Sequence, residues 1–470
     1  MYIEIGTDNN NMVVYDSDSI KSISFMPERD QTMQTLPIEE LDVVIEDETH
    51  SESWFVNNHI RVNSGQPVQP IVYSFRIYDA RALSHGLYQI KAASNVLKDL
   101  DSIVLPANFY NYSVYWSNII GSIFSSVYPD EPQANLPYTI SQSAYNVFQN
   151  LPVKYFGGFA PEQTARERLR QICQALGLVA SISEYNGKVY IEAAQDNQYY
   201  SSYSDHLTLR GVDIANTCKG VRKIKKEVPS AIKYTAYSNW STTAVEGYER
   251  IQIGKTDDFP DPQPVYAWVQ TTEHTIESSG KGSPITIEKN YFIVESNYHV
   301  IEYMSAAYFR QIEYELDYVD LPVRRSSDTY MLGRIAPGVS CAVNILDDHQ
   351  QYRGIVRKSE FHFGTTVRQR LTIALDNEPV CQMVKCTFYG VYKNGTDERL
   401  LWKLDYWLSP DHMMYGYDKR INNPVVETYV EGRLERFVPQ NPTSYISLYS
   451  GSTEEYRTAT AYYTRVDDPD

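Results

Sequence analysis

The stretch TARERLRQICQALGLVASISEYNGKVYIEA, Thr164 to Ala193, decides how the rest of the chain is read. Thr164 followed by Glu167 spells a capping box, in which side chains satisfy the first orphan amides of a helix. Leu169, Ile172, Cys173 and Leu176 fall at i, i+3, i+4 and i+7, one apolar stripe of helical period. Gly177 stands where a left-handed residue ends the helix. Leu178, Ala180 and Ile182 then alternate, Asn186-Gly187 supplies a type I′ turn, and Val189, Ile191 and Ala193 alternate back. The spacing predicts a helix packed on a two-stranded ribbon. Such a unit cannot stand alone, so it leans on its surroundings.

Those surroundings read as strands. Before the helix come YIEI, MVVY, a strand holding Ile23 and Phe25, LDVVIED, SWFV, IVYSFRIY and GLYQIKAAS, with turn residues between them. The pattern is that of a small sandwich or barrel. VYWSNIIGSIFSSVY carries Trp116, Ile119, Ile120, Ile123, Phe124 and Val127 at helical spacing. ISQSAYNVFQNL fits a short helix or a strand. Strand character resumes at HLTLRGVDI and continues through AIKYTAYS, YERIQIG, VYAWVQTTEHTIES, ITIEKNYFIVE, GVSCAVNIL, QYRGIVRKSEFHFG and VRQRLTIAL, interrupted by one helix in YMSAAYFRQIEYELDY. From residue 378 a further β-rich segment runs to the acidic tail DDPD.

With 470 residues the chain has room for about three domains, and 42% apolar residues permit several cores. No run of eighteen apolar residues spans a membrane. MYIEIGTDNNN lacks the basic stretch and apolar block of a secretory signal, so synthesis in a cytosol is expected. The five cysteines, Cys173, Cys218, Cys341, Cys381 and Cys386, are odd in number and scattered, which reads as reduced structural thiols. Net charge is −17, from 59 acidic against 42 basic residues. A protein that grips nucleic acid by its phosphates needs the opposite sign; like charge suits one that lets DNA pass. Tyrosine outnumbers phenylalanine 40 to 15, which suits half-wet interfaces as well as strands.

No catalytic constellation emerges. Asp205-His206 and Asp347-Asp348-His349 lack the spacing and further ligands of a metal site. Neither GxSxG nor HExxH occurs. FGGFAPEQ lacks the lysine of a phosphate loop, and the pair in CQMVKC has no partner set of His and Cys. The glycosylation triplets at Asn111, Asn239 and Asn394 have no secretory signal to go with them. Glu454-Glu455 reads as a solvated face rather than a glycosidase pair. The basic run Lys219 to Ser230 and the VRQRLTI segment carry no interleaved aromatics for stacking single strands; lysines guarding strand edges explain the first. The expected catalytic, cofactor and metal residues are therefore none.

The order of these pieces carries more than any motif. SISFMPERDQTMQTLPIEELDVVIED, GLYQIKAASNVLKDLDS, the helical segment, YFGGFAPEQTARERLRQICQALGLVASISEYNGKVYIEAA, HLTLRGVDI and finally IAPGVSCAVNILDDHQQYRGIVRKSEFHFGTTVRQRLTIAL follow one another. Over residues 1–377 this arrangement resembles the tail hub, or baseplate hub, of long-tailed bacteriophages and phage-tail-like particles. The helix with its ribbon is the sharpest element, and the segment from PG-V to Y-GIV--SEFHFG the next. The resemblance implies a homotrimer in which each chain contributes two barrel-like β-domains of related fold, giving a pseudo-sixfold ring. It implies tail tube, distal tail, tape measure and tail tip or fibre proteins as partners, passage of DNA without specific binding, and a place in the virion after synthesis in the host cytoplasm.

The expected fold class is mainly β with an α+β insert. A first barrel-like domain comprises residues 1–102 with 203–235, and the α+β insert residues 103–202. A second barrel-like domain comprises residues 236–377 with a helix near 303–318. A sandwich-like β module, 378–470, holds only His412 among histidines and reads as an attachment or capping module. The rival reading is a β-rich carbohydrate-active protein, a glycan-binding module or glycosidase, favoured by the Tyr and Trp content and the acidic balance.

Overall fold

A computed structural model describes residues 2–7, 11–16, 18–63, 72–182, 187–194, 207–209, 222–225, 227–256, 260–310, 312–318, 337–338, 340–345, 350–363, 368–376, 381–382, 384–408, 425–430, 433–440 and 458–466. The chain is mainly β, and divides into two compact units. The first holds Met1–Leu207, Val212–Cys341 and Gly354–Asn377; the second holds Thr208–Gly211, Ala342–Arg353 and Glu378–Asp470.

In the first unit, alternation puts Leu41, Val43 and Ile45 of the strand Glu40–Glu46 on one buried face. Ile3 and Ile5 of Tyr2–Gly6, Ile60 and Val62 of His59–Asn63, Phe75 and Ile77 of Val72–Ser84, and Ile90 and Ala92 of Leu87–Ser94 do the same. All these residues share one core with Ile23 and Phe25 of Ile20–Phe25. Neighbouring strands lie only about 4.8 Å apart, so a flat sheet would spread such residues over tens of ångströms. The sheet therefore curls, in the order Ile20–Phe25, Glu40–Glu46, Leu87–Ser94, Val72–Ser84, His59–Asn63, Tyr2–Gly6, Met12–Tyr15, every pair antiparallel. At its free end the Tyr15 hydroxyl donates to the Asp47 carboxylate, just beyond Glu40–Glu46.

The same sheet runs on past Ile20–Phe25. Residues 361–363 of the strand Gln350–Phe363 pair with it antiparallel, and Arg368–Leu375, Ile312–Tyr318 and Arg222–Lys225 follow in turn.

A second core joins the helices to a four-stranded sheet of Glu249–Lys255, Pro264–Glu277, Ala231–Ser241 and Ile285–Thr286. Into it go Ile119, Ile120 and Phe124 of the helix Trp116–Val127, and Leu169 and Ile172 of the helix Ala165–Ala175. Ile232 and Ala236 meet them from the sheet, and Ile301 and Met304 from the helix Val300–Tyr308. The ribbon strands Leu178–Ile182 and Val189–Ala193 pair antiparallel, with Tyr138–Ile140 added parallel to the second. Gly187 adopts φ +67°, while Asn186 lies outside the described residues.

Several elements differ from the sequence expectation. SWFV is part of a helix, Glu52–Val56, whose Phe55 is fully buried in the curled sheet's core; four residues rich in aromatics fit either period. ISQSAYNVFQNL resolves into a helix, Gln142–Asn150, because the Ser141 hydroxyl accepts the Ala144 amide at 3.2 Å. The helix read over 303–318 spans Val300–Tyr308, and Ile312–Tyr318 is a strand. Glu313, Glu315 and Asp317 alternate with Tyr314, Leu316 and Tyr318, a period of two that the sheet selects. Within ITIEKNYFIVE only Ile285–Thr286 is strand. The boundary drawn at 235/236 falls inside the single strand Ala231–Ser241.

The second unit is built on a five-stranded sheet in the order Asp397–Leu408, Val384–Asn394, Thr458–Val466, Arg433–Pro439, Val426–Val430. Only Val384–Asn394 and Thr458–Val466 run parallel. Tyr392, Phe437, Ala461 and Tyr463 are buried on one face. Among the described residues of the chain, no helix is long and apolar enough to cross a membrane.

Candidate assembly site

The helix Ala165–Ala175 sits where the first unit is fastened together. The Thr164 hydroxyl accepts the Glu167 amide at 3.2 Å, and Glu167 in turn accepts both arms of Arg170 at 2.6 and 2.7 Å. Gly177 ends the helix at φ +62°, with Val300 so close that a methyl group would meet its carbonyl oxygen at 3.1 Å. The apolar stripe is fully buried: Leu169, Ile172, Cys173 and Leu176 all read 0% exposed.

The arginines between the stripe residues do what periodicity did not suggest. They reach carbonyls far away in sequence. Arg166 donates to the Leu36 carbonyl and to Asp101, each at 2.7 Å. Arg168, buried, donates to the carbonyls of Pro106 at 2.8 Å and Pro161 at 2.6 Å; burial pulls its guanidinium below the usual value. Arg170 reaches the Met33 carbonyl at 2.6 Å. From the other side Asn290 donates to the Gln171 carbonyl and the Gln174 amide oxygen, both at 2.9 Å. One helix thus holds the 33–36 loop, the 105–106 and 161 turns and the 290 loop in register.

The loop between Ile20–Phe25 and Glu40–Glu46 is the second half of the site. Asp30 folds it, accepting the amides of Thr32 and Thr35, each at 2.8 Å. Met33 adopts φ +50° with its side chain buried. Arg29 pairs with Glu192 on the ribbon strand, and its amide donates to the Arg357 carbonyl at 2.8 Å. Its guanidinium passes over Gly338, where an added methyl would collide with Nη1. Tyr308 donates its hydroxyl to the Thr32 carbonyl at 3.2 Å. A polar recess of about 200 Å³ opens beside this loop, lined by Gln31, Tyr308, Arg310, Glu313 and Arg357 among others.

This arrangement holds segments in place. Asp205, His206, Asp347, Asp348, His349, His412, Glu454, Glu455 and Cys218 lie outside the described residues. Among the described residues no group of three or more His, Cys, Asp or Glu is placed to hold a metal. Cys173 and Cys341 are buried, and burial pushes the Cys173 thiol up. Cys381 falls on a strand opposite Gln351.

No family model matches the chain, and no curated protein matches it. Solved structures do. The chain is similar to the 43 kDa tail protein of prophage MuSo2 from Shewanella oneidensis, at 9% identity and a TM-score of 0.48, over 79% of this chain and 98% of that one. The tail protein from Neisseria meningitidis MC58 gives 9% identity and a TM-score of 0.48, over 80% and 96%. The E. coli c3393 protein is a type VI secretion component with structural similarity to the T4 bacteriophage tail proteins gp27 and gp5. It gives 7% identity and a TM-score of 0.39, over 96% and 97%.

Proposed function

We propose that this chain is a structural hub of a phage or phage-like tail. Three copies form a pseudo-sixfold ring that closes the tail tube, joins it to the tip and lets the genome through. The observation that carries this reading is the junction at Phe25 and Phe361, where one polypeptide joins two sets of antiparallel strands into a single sheet. Two β modules per copy, tiled three times, approximate a hexagon. The helix Ala165–Ala175 fastens the loop that follows Ile20–Phe25, next to that junction.

The segment order that resembles tail hubs supports the same reading, and so does the charge. A chain at −17 brings a strongly acidic ring to the genome, and an acidic bore repels DNA instead of holding it. The neighbours in this reading are tail tube, distal tail, tape measure and tip or fibre proteins. Residues 378–470 serve attachment or capping.

Negative-stain images of the purified full chain, viewed end-on, test it. Threefold particles with six lobes around an open bore are expected. A monomer at every concentration sinks the proposal, and a monomer stabilised by saccharides puts the carbohydrate-active reading in its place.

A further inference from the structure

The polar recess beside the loop after Ile20–Phe25 holds an acceptor that the fold leaves unserved. Gln31 is 5% exposed and lines the recess, yet its side-chain Oε1 meets no hydrogen-bond donor among the described residues. A buried carbonyl oxygen in that state carries a desolvation cost that a bound donor removes. Glu227 stands exposed at the same recess, and among the described residues no cation pairs with it.

The other charged groups around it are already engaged. Arg357 pairs with Glu313, and Arg310 with Asp376 at 3.3 Å. Asp30 accepts the amides and hydroxyls of Thr32 and Thr35. What is left over is acceptor capacity. Charge agrees, since the carboxylates of Asp30, Glu227, Glu313 and Asp376 outnumber the guanidiniums of Arg310 and Arg357. An anion has to compete with carboxylates seated on both guanidiniums, whereas a cation bearing several N–H donors meets the excess directly.

Size and lining define the rest of the ligand. At about 200 Å³ the recess is smaller than the roughly 300–1,000 Å³ of small-molecule clefts, so it takes one side chain rather than a whole molecule. Pro229, Ile285 and Ala307 add apolar wall. Along such a wall the stem of a lysine or arginine lies while its head reaches polar partners.

We propose that this recess is the socket for one lysine or arginine side chain of a neighbouring basic protein, with Gln31 and Glu227 as its acceptors. The chain's own −17 charge steers a basic partner toward it. The socket adds a contact to the hub reading and does not depend on the number of copies.

Ligand-observed NMR titration of the full chain tests it. The probes are n-butylammonium and n-propylguanidinium, standing in for the two side chains, with n-butanol as the neutral control. At least one cation is expected to bind in the millimolar range, and butanol at least about tenfold more weakly. Gln31→Leu keeps the volume and removes the acceptor, so cation binding should fall at least about tenfold with the melting temperature unchanged or raised. Glu227→Gln, at an exposed position, should show the same loss of binding and decides the matter should Gln31→Leu misfold.

No binding by either cation overturns the proposal, as does butanol binding equally well or full binding by both variants. Binding that appears only once the assembly is dissociated overturns the choice of partner, because a second copy then fills the recess. A trimer that binds neither cation leaves the ring reading standing; a monomer that binds them leaves the socket without the ring.

Discussion

Phe361 lies directly opposite Phe25 in antiparallel register, and both rings are buried in the sheet that spans the first unit. Phe25 also packs edge-on against Phe75 at 5.3 Å, which ties the junction to the core of the curled strands. The chain between these two strands makes the four-stranded sheet and all of the described helices. The pairing therefore closes a very long loop, whose closure cost grows only slowly with length.

Phe361→Ala is expected to destabilise the first unit by about 3–4 kcal/mol, the cost of deleting a buried aromatic side chain. Because the strands form one sheet, amides of residues 23–25 and 361–363 should lose hydrogen-exchange protection together. Protection lost only at residues 361–363 would show that the junction is not a shared element.

Asp47 gives the curled sheet its acid limit. Burial pushes this carboxyl upward, but hydrogen bonds from Thr49, Tyr15 and His50 outweigh it and hold the group well below the usual carboxylate range. A depressed carboxyl stabilises the fold above its unfolded value of about 3.9, and that stabilisation is lost as pH falls toward the folded value. Asp47→Asn should cost about 2 kcal/mol at pH 7, with the gap to wild type narrowing as pH falls below about 3.9. Melting temperatures from pH 2 to 7 check this; parallel curves would refute it.

The helix and its ribbon were legible because their signals are local. Thr164, Glu167, the Leu169–Ile172–Cys173–Leu176 stripe and Gly177 all act within a few residues of one another, and the structure uses the Thr164 hydroxyl, the stripe and Gly177 as read, while the Glu167 carboxylate goes to Arg170 and Gln171. Arg166, Arg168 and Arg170 were not legible as fasteners. Their partners at Leu36, Pro106 and Met33 lie 62 to 137 residues away, and carbonyl acceptors leave no mark on residue type. The Phe25–Phe361 pairing is hidden for the same reason, since strand partners are chosen by tertiary context. The strand Ile312–Tyr318 was missed because a Tyr-rich segment satisfies helical and strand periods at once.

Gly338 is required by Arg29. It adopts φ +95°, and any side chain there would collide with the guanidinium that pairs with Glu192. Gly338→Ala should cost about 2–3 kcal/mol, combining backbone strain with displacement of a buried cation. Adding Arg29→Met to Gly338→Ala should recover part of that loss, because the collision and the unpaired cation disappear together. Purely additive costs in urea unfolding would show that the two residues do not meet.

Arg168 distinguishes a fastening helix from a merely buried one. Its guanidinium serves the carbonyls of Pro106 and Pro161, which belong to two turns far apart in sequence. Arg168→Ala leaves those oxygens without this donor and should cost about 3 kcal/mol. Arg168→Lys presents a compact ammonium in place of a planar fork and should restore less than half of the loss. Hydrogen exchange around residues 105–109 and 162–165 should rise in both variants, more in the alanine form. A loss below about 1 kcal/mol with exchange unchanged would mean that apolar packing alone holds these turns, and that the helix is not the fastener.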